Sequence, residues 1–231
     1  MPPKPQVTTT INPIYGCSTS PAENPRFKRH GRRPPRRPIT LLTVSEIESG
    51  TAKLPEYYAL GLPLMAWCSF RFAELSELRV KDIEDGPRGM VIHVRRSAPL
   101  VNGKPKVKDG VKSDAGVRDV WVPSPLAEQI RNRLKVIDNS PNTFVVSNHR
   151  GDRLPRSTFT KQFKKVLPPA KAEMHVHALR HTGAVFAAWA GATTAELQER
   201  LGHATMEMAA LYQHVAEGRQ QAIAERMSDL H

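Results

Sequence analysis

With 231 residues the chain is long enough for one substantial domain and a tail. Its 34 Lys plus Arg outnumber 22 Asp plus Glu, giving a formal charge of +12 and a pI of about 10.0, which favours a polyanionic partner held by phosphate neutralisation: nucleic acid first, an anionic membrane surface second. Two cysteines, Cys17 and Cys68, without C-x-x-C spacing argue against a disulfide framework and a cysteine zinc site. No apolar run reaches transmembrane length, and Met1-Pro-Pro-Lys lacks the apolar core of a signal peptide, so a soluble protein of a reducing cytoplasm is expected.

Residues 1–40 read as an arm. Nine of the 20 prolines fall there, with no sustained apolar periodicity. The segment RFKRHGRRPPRR contains seven basic residues and no acid: Arg26, Lys28, Arg29, Arg32, Arg33, Arg36 and Arg37. Such an arm can track a DNA backbone or enter a minor groove. A solvated tail without fixed contacts fits the composition equally well.

Order is expected from Thr43, which with Glu46 makes a capping box before a short helix through Glu48. Leu54 to Trp67 is an apolar helical stretch disturbed by Gly61 and Pro63. Ser69 is read as the cap of a helix from about Phe70 to Val80, with Phe72, Leu75 and Leu78 inward. Arg71 and Glu74 lie one turn apart on it, either as a surface ion pair or as a phosphate-binding arginine held by an acid. From Val91 the period changes to two: Val91–Arg95 and Val117–Val122 are β-like. Turn signals at Asn102-Gly103 and Asp114-Ala-Gly116 predict a small antiparallel sheet of three strands with Lys112 before the second turn. Helices return at about Pro125–Ile137 and Ser157–Leu167, with an extended piece at Thr143–Val146. The fold class is mainly α with a small antiparallel β-sheet, α+β.

The most informative stretch runs from His175 to His214. His177, Arg180 and His181 stand at i, i+3 and i+4 and share one helix face; Leu179, Gly183, Phe186 and Ala190 form the adjoining apolar stripe. Gly191 ends that helix, and Thr193 with Glu196 forms a capping box for the next, which stops at Gly202. Tyr212 follows His203 by nine residues, about half-integral in turns, so one straight helix would turn the two apart; a break at Gly202 removes the conflict.

HALRHTGA followed by LGHATMEMAALYQH resembles the catalytic domain of tyrosine site-specific recombinases of the phage integrase family, especially integrases of actinobacterial phages. SFRFAELSELRVKDIE is similar to the family's first arginine motif and VKSDAGVRDVWVP to its lysine hairpin. The resemblance implies a catalytic domain over 41–231 and a catalytic set of Arg71, Lys112, His177, Arg180, His203 and the nucleophile Tyr212, with Glu74 and His181 in support. One departure is visible: members usually carry Thr-Gly where Cys68-Ser69 stands.

The implied activity is site-specific DNA recombination through a 3′-phosphotyrosyl intermediate and a Holliday junction, without metal, ATP or other cofactor. The two guanidiniums would hold the non-bridging phosphate oxygens, His177 would take the Tyr212 proton, His203 would bond the phosphate, and Lys112 would protonate the departing 5′ oxygen. His177 and His181 as a zinc pair lack a partnering Glu or Cys, so no metal is expected. Implied partners are double-stranded DNA, a homotetramer formed through a C-terminal helix at 216–230 (stripe Ile223, Met227, Leu230), and accessory directionality or bending factors, in a bacterial host cytoplasm. Because only about 40 residues precede the catalytic region, a full core-binding domain is not expected and solo DNA binding should be weak. Rival readings are a degenerate DNA-binding accessory protein, a type IB topoisomerase-like relaxing enzyme, and a helix-turn-helix regulator, which leaves the Tyr212 spacing unexplained.

Overall fold

The computed structural model describes residues 40–109 and 116–202. Helix α1 spans Val44–Ala52, a turn longer than the sequence suggests, and its Thr43/Glu46 capping box is present in full. The apolar stretch that follows splits into α2, Glu56–Ala59, and α3, Gly61–Trp67, of which Gly61 to Ala66 are all buried. Helix α4 is a single turn, Phe72–Leu75, whose N-cap is Arg71.

The long helix expected from Phe70 to Val80 is therefore not formed, and Ser69 is not its cap. Ser69 takes φ 56, and its buried hydroxyl has no hydrogen-bond partner among the described residues. Beyond α4 the backbone pairs instead with the extended piece at 143–146. Val145 N–H donates to Leu78 O (3.1 Å), and Val80 N–H donates to Thr143 O (3.0 Å). Of the three side chains expected inward, Leu75 and Leu78 are buried and Phe72 is half-buried.

The main sheet has three antiparallel strands, as expected, but not the expected third member. β1 (Ile83–Gly86), β2 (Gly89–Val94) and β7 (Arg118–Trp121) lie in the order β1-β2-β7. The segment between β2 and β7 forms two smaller pairs: β3 (Arg96–Ser97) with β6 (Lys108–Asp109), and β4 (Leu100–Val101) with β5 (Lys104–Pro105). The Asn102-Gly103 turn sits at the tip of the second pair, both residues at positive φ. β1 escapes a period-two reading because Ile83-Glu-Asp-Gly86 has a single large apolar residue, and it is held by pairing with β2.

Helices α5 (Ser124–Val136) and α6 (Arg156–Val166) fall within a residue or two of expectation. α7 (Ala178–Trp189) and α8 (Thr194–Leu201) follow; α8 begins on the Thr193/Glu196 capping box and ends at Gly202, φ 56. α7 crosses α3 at Gly183, where an added Cβ would lie 2.3 Å from the Ala66 carbonyl oxygen, so only glycine permits that approach. In the α7 stripe Leu179 and Gly183 are buried, Phe186 is half-buried and Ala190, the C-cap residue just past the helix, is exposed. A core centred on Leu64, Met65, Leu75, Ile92, Phe159 and Phe163 joins the helices to one face of the sheet. No helix among the described residues is long and apolar enough to cross a membrane.

Candidate active site

Arg71 and Arg180, 109 positions apart in sequence, converge on the C-terminal end of α8. Arg71 Nη2 donates to Gly202 O (2.5 Å), Arg180 Nη2 to Leu201 O, and a third residue, Arg118, donates from Nε to Arg200 O (2.8 Å). Three successive carbonyls thus take one guanidinium each. These are the carbonyls a helix end leaves without internal partners, and they carry the negative end of its dipole. Arg180, 6% exposed, also donates through Nη1 to Ser69 O (2.6 Å), tying α7 to the turn that carries Arg71.

Arg71 is set by Glu74. Its backbone N–H donates to Oε2 (2.9 Å) and its Nη1 to Oε1 (2.8 Å). The Glu74 side chain is only 2% exposed, so this is not the weak surface pair considered above; the acid is a buried strut. Burial opposes ionisation of Glu74, yet the hydrogen bonds and charge of Arg118, then those of Arg71, hold its carboxyl below the ordinary value.

His177 caps α7 and meets the ring of His181 edge-on, with centroids 5.1 Å apart. Although part of His177 faces solvent, desolvation first, and then the positive charge of His181, Arg180, Arg71 and Arg156, push its pKa down to about 4. It is neutral at pH 7 and able to accept a proton. His181 is lowered too, by burial and by Arg180. Arg71 and His177 line a cavity of about 800 Å³ together with Arg153, Arg156 and Ser157, and with Leu100 and Pro105 of the small hairpin. Among the described residues no cluster of three or more His, Cys, Asp or Glu is arranged to hold a metal ion.

Lys112, His203, Tyr212, the arm residues from Arg26 to Arg37 and the helix at 216–230 lie outside the described residues. Sequence reasoning missed Arg118, Arg153 and Arg156. Arg118 alternates with Val120 on the buried side of β7, a position where an apolar residue is the ordinary expectation. Arg153 is held by the fully buried Glu77, and with Arg79 it flanks the Phe144 ring.

The sequence profile described as the phage integrase family matches residues 40–219. The chain belongs to the phage integrase family. The integrase of Mycobacterium phage L5 is 41% identical over 213 residues, spanning 90% of this chain and 57% of the relative. A putative prophage phiRv2 integrase of Mycobacterium tuberculosis strain H37Rv is 40% identical over 196 residues, 83% of this chain and 52% of the relative. This family member therefore spans little more than half the length of those relatives. Among solved structures, the Tn1549 transposon integrase in complex with transposon right end DNA superposes with a TM-score of 0.65 at 20% identity, over 84% of this chain and 68% of that one. XerA recombinase gives 0.60 at 20%, over 84% and 67%. At these identities the likeness is one of fold: helices around a small antiparallel sheet, as the sequence predicts.

Proposed function

We propose that this chain is the catalytic part of a site-specific DNA integrase that cuts and rejoins strands through Tyr212. The observation that carries the reading is the meeting of Arg71 and Arg180 on Gly202 O and Leu201 O, the two residues immediately before His203. Two permanently charged, planar donors beside the Leu-Gly-His motif are what an anionic phosphodiester needs on its way to a five-coordinate transition state.

In the proposed step the Tyr212 oxygen attacks phosphorus and its proton passes to His177. The Tyr212 O–P bond forms as the P–O5′ bond breaks, and the leaving oxygen takes a proton from Lys112. The products are a 3′-phosphotyrosyl enzyme and a free 5′ hydroxyl. Attack by a partner strand's hydroxyl then reseals DNA at no cost in ATP, because the phosphodiester bond is conserved in the protein linkage. A phenol with a reference pKa near 10 is only about 0.1% ionised at neutral pH, so its proton must be removed as the O–P bond forms. His177 is a weak base while the arginines face it unscreened, and the negative charge of a bound phosphate would raise its basicity.

Double-stranded DNA is the proposed substrate, with the basic arm from Arg26 to Arg37 as an additional grip. One structural neighbour, a lambda integrase tetramer bound to a Holliday junction, has a TM-score of 0.51 at 17% identity. The same assembly, built through the 216–230 segment, is proposed for this chain. The test is incubation with nicked suicide DNA containing the recombination core. A covalent protein–DNA band should form and should vanish in Tyr212→Phe; a band that persists in Tyr212→Phe overturns the assignment.

A further inference from the structure

Arg118 takes no part in the steps just described, yet it is among the most completely bonded side chains of the fold. It lies on β7 opposite Val94, and its side chain is 3% exposed. Nη1 and Nη2 fork onto Glu74 Oε1 and Oε2 at 3.1 and 2.9 Å, and Nε donates to Arg200 O at 2.8 Å. A buried guanidinium needs such complete neutralisation, and a two-point fork fixes the plane of the carboxylate as well as its position. Each Glu74 oxygen is then shared: Oε1 between Arg118 and Arg71 Nη1, Oε2 between Arg118 and the Arg71 backbone N–H. On its other side Arg118 holds the last turn of α8, one residue before the Arg180 carbonyl contact and two before that of Arg71.

We propose that Arg118 is a positioning residue which, through Glu74 and the Arg200 carbonyl, sets where Arg71 and the Leu201-Gly202 turn stand, and so shapes the phosphate site without touching DNA. Without the fork, Glu74 would keep Arg71 as its counter-ion, and the acid would be free to rotate and draw that guanidinium away from the cavity. The carboxylate would also ionise less readily, since burial then meets less opposition. The groups around it are Arg71 and Glu77 from its own segment, Arg118 from β7, and Asp82, His93, Arg95 and Arg96 around the small void between α4 and β2.

The proposal rests on the strand-cleavage reading for its kinetic arm and stands apart from it in its spectroscopic arm. The 231-residue chain is prepared as wild type, Arg118→Met, Arg118→Lys and the double variant Glu74→Gln/Arg118→Met, the last removing both members of the buried pair. First, the Arg71 Nε–H signal, identified by its loss in Arg71→Lys, is followed by NMR. It should move in Arg118→Met, and less in Arg118→Lys, which keeps the charge without the fork. Second, covalent-complex formation on suicide DNA at saturating DNA should slow about 10- to 100-fold in Arg118→Met, the usual range for a residue that orients another. DNA affinity should change far less. The loss should deepen as pH is lowered, because a Glu74 that has lost the Arg118 fork takes up a proton more readily, and this dependence should be absent from the double variant. An unmoved Arg71 signal, or a wild-type rate, in folded Arg118→Met or Arg118→Lys overturns the proposal. So does a loss equally large, with the same pH dependence, in the Glu74→Gln background. Should wild type form no covalent complex, the strand-cleavage reading falls while the Arg71 signal still decides the positioning role.

Discussion

Replacing Ser69 by glycine should stabilise the protein. Ser69 holds φ 56, the left-handed region in which a Cβ meets the following carbonyl at a cost of roughly 1–2 kcal/mol. Its hydroxyl is buried without a partner among the described residues, and an unsatisfied buried donor costs about 1–3 kcal/mol. Against these stand the extra freedom of glycine in the unfolded chain, about 0.5–1 kcal/mol, and a small packing loss of about 0.8 kcal/mol. A net gain centred at about 2 kcal/mol, with bounds of about 0.2 and about 3.7 kcal/mol, remains. At about 2–4 °C per kcal/mol for a chain of this size, the midpoint of thermal unfolding should rise by several degrees. Circular dichroism melts of wild type, Ser69→Gly and Ser69→Ala separate the contributions, because alanine removes the hydroxyl but keeps the strained Cβ. Ser69→Ala should report the hydroxyl contribution alone, and Ser69→Gly should differ from it by the left-handed strain less the added chain freedom and lost packing, a difference within about 1 kcal/mol of zero. A Ser69→Gly midpoint below wild type would refute the reasoning and mean that the hydroxyl is bonded. Arg180 should keep its contact in either variant, since it binds the Ser69 carbonyl rather than the side chain.

Gly183→Ala should destabilise by about 1–3 kcal/mol in urea titrations, because its Cβ would sit 2.3 Å from a backbone oxygen that cannot rotate away. His93, bonded to Asp119 at 2.8 Å and to Glu84 at 3.1 Å across three strands, has its pKa raised first by the Asp119 bond. Its folded-state value exceeds the unfolded one, so its contribution is complete below about pH 6.5 and fades as pH rises through the raised value. Urea midpoints of wild type and His93→Gln should converge on the alkaline side of that window. His177, pushed down to about 4, has the opposite sign: it must be kept neutral, so stability falls as pH drops from about 6.5 towards 4, and His177→Gln should flatten that acid slope.

How much the chain declares of itself varies with the physics behind each feature. Capping boxes at Thr43 and Thr193 are local, and both appear as read. The His177, Arg180 and His181 spacing is local too, and the two histidine rings meet on one helix face. The α4 region misled because Phe72, Leu75 and Leu78 keep helical spacing while the backbone at Leu78 and Val80 is claimed by residues 143–145, a contact some 65 positions away. At β7 and the residue before it, apolarity would turn Val117 and Trp121 inward; the structure exposes both and buries Arg118 with Val120. A buried acid supplied by another element overrides hydropathy there, and no local pattern carries that information. The departure at Cys68-Ser69 is legible in sequence, but the backbone angle that gives it meaning is not.

The row of carbonyls at the end of α8 bears on how DNA would be received. Peptide oxygens already offer Arg71 and Arg180 the partial negative charge that phosphate oxygens would bring. Under the proposed function, substrate arrival would be an exchange of one set of acceptors for another instead of the filling of a bare cationic hole. It would also loosen the hold of Arg71 and Arg180 on Gly202 and Leu201, so filling of the phosphate site and loosening of the last turn of α8 would go together.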